Sequence, residues 1–293
     1  MDRRVRDAIL LVERRRRRRV ARLLRRMDRL DGTRPRRRTS DTRRRATTAV
    51  TVLGLLLVGV FVSTLHEGPS SSASAFPDRP DDARDAPNAL RVPRTPSKEY
   101  AFVQMQDDGS GPVTYDPCVP IHLVVDSRTI VDGGMTLLEQ ALDEVRDTTG
   151  LMFTVDGLTD EAPPEEGTVT KDGGRGWLPV RVSWSDPAAS EKLAGDVAGY
   201  AGSATVPRDD HEWFVTGSVV LDGPQLTEIL KGPHGWASAR SVVMHELGHL
   251  VGLDHVDASG QLMQPEGNET LTTWGDGDRA GLAALGRGEC ISY

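Results

Sequence analysis

Three histidines, one glutamate and one glycine stand at fixed spacing in the C-terminal part of this chain: His245, Glu246, His249, Gly252 and His255. The surrounding pattern predicts a helix over residues 238–251. In such a helix His245 and His249 lie one turn apart on the same face, where two imidazoles can bind one metal ion. This motif limits the fold more strongly than any other feature, because it requires a helix at this place followed by a tight reversal of the chain.

The reversal is supplied by Gly252, which can adopt the left-handed conformation that ends a helix. It allows His255 to return as a third ligand. Three protein ligands leave a fourth position open for water, as in catalytic zinc sites, and Glu246 is placed to reach that water. The alternative is a helix surface that binds no metal, but the added glycine and third histidine argue against a chance match.

The motif resembles that of the metzincin zinc metallopeptidases, and among them the matrixins. Met263 and Pro265 follow at the place of the family's Met-turn, in which the methionine packs beneath the histidines without binding the metal. Residues 274–286 are similar to the helix that closes the matrixin catalytic domain. The resemblance covers roughly residues 113–290 and is specific over 245–265. The Arg-rich, Lys-poor composition favours a bacterial source.

The resemblance implies an endopeptidase that hydrolyses peptide bonds of polypeptide substrates with a zinc-activated water. Glu246 would be the general base, and the substrate backbone would pair with an exposed strand edge at Tyr200, Ala201, Gly202 and Ser203. The alternative is an inactive or latent zinc-bearing binding module on the same fold, since a fold does not prove activity.

Departures from the family pattern bear on the metal count. Val256 stands where matrixins carry Ser, and no His/Asp set for a second, structural zinc is found, so we expect one zinc ion. Residues 172–176 loosely resemble a calcium loop of the family. Short Asp/Gly loops are more often plain turns, so calcium is the weaker alternative.

The hydrophobic pattern of the last 195 residues predicts an α/β (α+β) domain, and the resemblance implies that it is metzincin-like. The resemblance implies a mixed, mostly parallel five-stranded sheet with three main helices. We expect strands at 121–125, 151–155, 178–184, 200–206 and 214–221, and a helix at 136–149 that Gly150 ends. Strand–helix–strand order at the start favours parallel pairing.

The N-terminal segment is opposite in charge to the rest. Residues 1–45 hold 20 Arg and 6 acidic residues, a net charge of +14, whereas the whole chain is at −7. Apolar residues recur in this tail at helical spacing, which favours contact with an anionic inner leaflet. A disordered topology signal and nucleic-acid binding are the alternatives. We expect no nucleic acid, because an uncharged stretch of membrane-spanning length comes directly after the tail and the remainder of the chain is acidic.

That uncharged stretch is residues 46–65, 20 residues long, which as a helix can cross about 30 Å of hydrocarbon. We predict a single-pass signal anchor, with the tail in the cytoplasm and the catalytic domain extracellular. The alternative is secretion after cleavage near Ala75. Residues 66–98, rich in Pro and Ser, are expected to form a disordered linker to a domain at 99–293.

Two cysteines, Cys118 and Cys290, bracket the predicted domain. Outside the cell they are expected to form a disulfide. The alternative is a cysteine switch, in which Cys118 binds the zinc and keeps the enzyme latent.

Overall fold

The computed structural model describes residues 76–88, 96–265 and 270–293. Within these ranges no helix combines the length and apolarity needed to cross a bilayer. The predicted basic tail and membrane segment, 1–45 and 46–65, lie outside the described residues, and so do 66–75 and 89–95 of the predicted linker.

Eight strands and four α-helices make up the described part of the chain. The strands are β1 (Ala101–Phe102), β2 (Thr114–Tyr115), β3 (Ile121–Asp126), β4 (Phe153–Thr159), β5 (Val180–Ser185), β6 (Gly199–Arg208), β7 (His211–Asp222) and β8 (Leu253–Asp254). The helices are α1 (Gly134–Thr149), α2 (Gly223–Leu230), α3 (Gly235–Val251) and α4 (Asp276–Leu285). Single 3-10 turns occupy Asp172–Gly174 and Glu191–Leu193.

Local chemistry explains where these helices begin and end. Helix α1 presents one fully buried apolar face and ends at Gly150, whose φ of 80° is left-handed, as the sequence predicts. Helix α2 was not predicted. It is short, and it starts because the side chain of Asp222 accepts a hydrogen bond from the backbone N–H of Gln225, with Pro224 in the first turn.

The main sheet has six strands rather than the predicted five. Strands β2, β7, β5, β3 and β4 follow one another in parallel, and β6 joins β7 antiparallel. The prediction missed β2 because two residues carry no detectable alternation. The four described helices likewise exceed the predicted three by the short α2.

Strand β6 lies at an edge of this sheet. Phe214 of β7 has one partner in β2 and another in β6, and Val219 has one in β5 and another in β6. Strands β2 and β5 therefore lie end to end along one side of β7, and β6 runs along the other. Within the described residues β6 pairs with no second strand, so its outer backbone groups are available to a further strand.

Helices α1 and α3 pack on one face of the sheet and enclose the core. The core includes fully buried side chains from β3, β5, β7 and both helices, such as Leu123, Val182, Leu221, Leu138 and Leu247. Trp184, buried to 1% exposure, packs so closely against Gly134 that a Cβ there would lie 2.9 Å from its ring. Helix α1 is thus packed closely against β5.

Part of the range predicted as linker contacts the domain. The ring of Phe76 lies edge-on to Trp177 at 4.9 Å between centroids, with the Arg208 guanidinium 4.4 Å from the Phe76 ring centroid. Asp82 pairs with Nε2 of His122 at 2.9 Å, and Asp156 pairs with the other ring nitrogen at 2.7 Å. His122 therefore has a structural role, joining residues 76–88 to β4.

The C-terminus is held close to β2. Cys118 and Cys290 form a disulfide with their Cα atoms 5.4 Å apart. Asp116 accepts hydrogen bonds from the backbone N–H of Cys118 at 2.8 Å and of Ile291 at 3.3 Å. With its sulfur in this bridge, Cys118 is not a free thiolate that could bind zinc.

Candidate metal centre and active site

The three predicted ligands converge at one point. Helix α3 carries His245 and His249 on one face, and the chain beyond its end brings His255 opposite them. Each pair of Nε2 atoms among the three histidines lies 3.1 Å apart. His255 is exposed and the other two are half-buried, so the cluster opens to solvent on one side.

The donor chemistry of these rings fits a cation. Nδ1 of His245 lies 2.8 Å from the carbonyl oxygen of Leu262, and Nδ1 of His249 lies 2.8 Å from that of Leu253. A carbonyl oxygen can only accept, so each Nδ1 carries the proton and each Nε2 presents a lone pair. Lone pairs converging at this distance repel one another unless a cation lies between them.

The size of the triangle suits zinc. Nitrogens 3.1 Å apart that share an ion at about 2.0–2.1 Å subtend angles of about 95–102° at the ion, close to tetrahedral. The pKa values agree with ligand function, because burial, with a contribution from His249, lowers the pKa of His245 to about 4. Burial also lowers the pKa values of His249 and His255. Neutral imidazole is the form that binds a metal.

Gly252 makes the return of the third histidine feasible. Its φ of 119° is left-handed, and its N–H caps the end of α3 on the carbonyls of Gly248 and His249. A Cβ at this position would also lie 3.0 Å from Leu285 and 3.1 Å from the ring of Phe214. Strand β8 then pairs with β1, and the carboxylate of Asp254 accepts a hydrogen bond from the His255 N–H at 2.7 Å.

Met263 packs beneath the histidines. It is 1% exposed, and a Cβ on Gly248 would lie only 2.7 Å from its sulfur. Gly248 stands between the two helical ligands in sequence, so the thioether contacts the helix at the level of the metal site. Pro265 follows the turn and is exposed, and residues 266–269 lie outside the described ranges.

A buried carboxylate that the sequence interpretation missed supports this turn. Asp278, in the first turn of α4 and 1% exposed, accepts hydrogen bonds from the backbone N–H groups of Leu262, Met263 and Gly275. Leu262 in turn orients His245 through its carbonyl. An acidic residue at the third position of a helix is a common capping signal, which in sequence says nothing about a distant loop.

Glu246 lies next to the first ligand and is only 5% exposed. Its Oε2 is buried and has no hydrogen-bond partner among the described residues. Burial raises the pKa of the carboxyl to about 8, because the charged form is poorly solvated there. A divalent cation held by the histidines would lower that pKa again, which leaves a carboxylate able to take up a proton.

The predicted substrate-binding residues Tyr200, Ala201, Gly202 and Ser203 all lie in the edge strand β6. The hydroxyl of Ser203 points into the domain and donates to the carbonyl of Leu250 in α3 at 2.7 Å. On the other face the Tyr200 hydroxyl lies 3.1 Å from that of Ser190, and Lys192 lies 5.0 Å from the ring centroid of Tyr200. Edge strand and ligand helix are thus directly joined.

A second group of metal-binding side chain types exists within the described residues. It comprises Asp116, Cys118 and Cys290, whose sulfurs are joined in the disulfide. The glycines of the predicted calcium loop, Gly173 and Gly174, adopt left-handed φ values of 76° and 71° in a short turn, and no calcium site is supported there.

Comparison with known proteins points the same way. The matrixin family model matches residues 180–285, which include β5, β6, β7 and the whole histidine motif. A search of curated proteins found no match.

The solved structures to which this chain is similar include two at low identity. One is the GM1-bound form of the ECX AB5 holotoxin, with 15% identity, a TM-score of 0.40, and coverage of 68% of this chain and 93% of that one. The other is the archaemetzincin of Methanopyrus kandleri, with 13% identity, a TM-score of 0.32, and coverage of 55% and 86%. The family match and the three-histidine cluster together support a metzincin-like domain that includes residues 180–285.

Proposed function

We propose that this chain is a zinc-dependent endopeptidase, held at the outer face of the cell membrane by the segment at 46–65. The observation that carries the proposal is the convergence of three histidine Nε2 atoms at 3.1 Å, beside a buried carboxylate with no hydrogen-bond partner among the described residues. Such a pair of features serves hydrolysis better than it serves a structural metal, because the site keeps an open side.

The residues of the site have separate roles. His245, His249 and His255 would hold the ion, in a ring orientation set by the carbonyls of Leu262 and Leu253. Zinc bound there would supply Lewis-acid polarisation of the scissile carbonyl and acidity to a nearby water. Glu246 accepts the proton of the attacking water on its carboxylate and then donates it to the leaving amine.

The outer edge of β6 is the proposed binding place for substrate backbone. An extended peptide would add to the sheet there, with its hydrogen bonds supplied by the chain around 200–203. The side chain of Ser203 is engaged with Leu250, so we expect this residue to contribute through its backbone. The exposed side of the histidine cluster gives the peptide access to the site.

The membrane part of the proposal rests on sequence. The uncharged stretch at 46–65, preceded by a tail of net charge +14, supports a single-pass anchor with the tail inside. Alkaline extraction of membranes from cells that express the full chain tests this. An anchored protein stays in the membrane pellet, whereas one cleaved near Ala75 is released into the medium.

The test of the enzymatic activity uses the full chain in detergent, as wild type and as Glu246→Ala. Bound zinc is measured by mass spectrometry, and cleavage of a quenched peptide library is followed with and without a chelator. We expect one zinc per chain in both proteins and cleavage only by the wild type, abolished on chelation. Zinc in both proteins with cleavage by neither would favour the binding-module alternative.

A further inference from the structure

The first residue of the edge strand touches the proposed general base. A Cβ built on Gly199 would lie 2.8 Å from Cγ and 3.0 Å from Cδ of Glu246. Separations this short do not occur between nonbonded carbons in folded proteins, since C–C contacts are optimal at about 3.5–4.0 Å. The side chain of Glu246 therefore occupies the space that any residue larger than glycine would need at position 199.

Space, and not backbone conformation, explains the glycine at this position. Gly199 is extended and has no left-handed φ, so an L-residue could adopt its backbone angles. Gly202, three residues later in the same strand, also lacks a left-handed φ, and a Cβ on it would meet nothing within 4 Å. The two glycines differ in one respect that matters here: only Gly199 lies against the carboxylate side chain.

Strand pairing holds the backbone at Gly199 in place, so it cannot move away from Glu246. Gly199 pairs with Leu221 of β7, and the preceding carbonyl of Ala198 accepts the N–H of Asp222 at 2.8 Å. A Cβ on Gly199 would also lie 3.0 Å from the carbonyl oxygen of Val220. A side chain added at 199 must therefore displace Glu246, and its contact with the Val220 carbonyl remains when Glu246 moves.

Packing is what restrains the carboxylate, because its buried Oε2 has no hydrogen-bond partner among the described residues. We propose that Gly199 is a positioning residue: its missing side chain sets where the Glu246 carboxylate stands relative to the histidine cluster. The inference rests on the proposed function of Glu246. It also joins the substrate-binding edge and the proton acceptor, since both are set by the start of β6.

The test is a double-mutant cycle on the full chain: Gly199→Ala, Glu246→Ala and the two combined, with Gly202→Ala as the matched stability control. Four quantities are measured: zinc content, melting temperature, and kcat and KM for a cleaved peptide. Gly199→Ala should keep its zinc and lose about 100-fold in kcat, the scale of a 1 Å misplacement, with KM changed far less. It should also lower the melting temperature.

In the Glu246→Ala background the Gly199→Ala substitution should lower the melting temperature much less, because the Glu246 side chain that it would displace is absent. Gly202→Ala should leave the melting temperature nearly unchanged in both backgrounds. A merely structural role for Gly199 would lower the melting temperature equally in both. That result, or a Gly199→Ala protein with wild-type kcat, would overturn the inference.

Failure of the proposed function gives a different result. A wild-type protein that binds zinc and cleaves nothing refutes the peptidase and, with it, any positioning role. A wild type that cleaves while Gly199→Ala cleaves equally well refutes the positioning role alone.

Discussion

Replacing Asp278 by Asn should weaken the metal site from a distance. The carboxylate accepts three buried backbone N–H groups, with Leu262 and Gly275 on one oxygen and Met263 on the other at 3.3 Å. An amide has one accepting oxygen, so its NH₂ must face at least one N–H donor. The most favourable orientation keeps the oxygen toward Leu262 and Gly275 and leaves the Met263 N–H unpaired.

These three contacts set the expected loss in the free energy of unfolding. One lost bond to a charged acceptor and two bonds weakened from charged to neutral cost about 3–5 kcal/mol together. Part of this loss is offset, because the charged carboxylate is more costly to bury than the neutral amide. The same burial raises the pKa of Asp278. We expect a net loss of about 2–3 kcal/mol, which lowers the melting temperature of a domain of this size by about 4–12 °C.

Zinc affinity should fall too, because Leu262 donates to Asp278 and its carbonyl orients His245. Loss of such a supporting contact costs about 10–100-fold in metal affinity. Thermal melts by circular dichroism and zinc competition with a chromophoric chelator measure the two effects.

Asp276→Asn, an exposed acid in the same helical turn, is the control with the same charge change. Equal melting temperatures for the two variants would refute the stability argument, and a destabilised Asp278→Asn with unchanged zinc affinity would refute the link to His245.

Two further predictions concern the part of the domain away from the histidines. Removing the disulfide by Cys118→Ser with Cys290→Ser opens a loop spanning 172 residues, which the chain-entropy model values at about 5 kcal/mol. A loss below about 1 kcal/mol in urea unfolding would contradict this. For His122, burial lowers the pKa, but the hydrogen bonds to Asp156 and Asp82 outweigh it and raise the pKa above 6.5. The stabilisation from this pairing is full below about pH 6.5 and lost as pH rises through the raised pKa. Wild type should exceed His122→Gln in urea midpoint at pH 5.5 and approach it at pH 8.5, and a constant difference would count against the ion pairs.

Much of the secondary structure can be predicted from sequence because it depends on short-range periodicity. The helix predicted at 136–149 is observed as Gly134–Thr149, and the one predicted at 238–251 as Gly235–Val251. Strand boundaries were less accurate. The second strand, predicted at 151–155, is Phe153–Thr159, because its extent is decided by pairing with β3 and not by its own residues.

The sequence alone determined the core of the candidate metal site. Spacing of i and i+4 in a helix places two imidazoles on one face whatever the rest of the chain does, and a glycine after the helix permits the reversal. The proposed proton acceptor, Glu246, also stands beside His245 through sequence adjacency alone. These features are local, so they can be recognised before any fold is known.

Only the tertiary structure decided the rest, because those features join residues far apart in the chain. It placed β6 at the sheet edge, brought Gly199 against Glu246 and tied Asp278 to the turn below the histidines. It also packed residues 76–88 onto the domain, where composition predicts a free linker. Such contacts depend on which surfaces meet after the core has formed, and local sequence periodicity does not predict them.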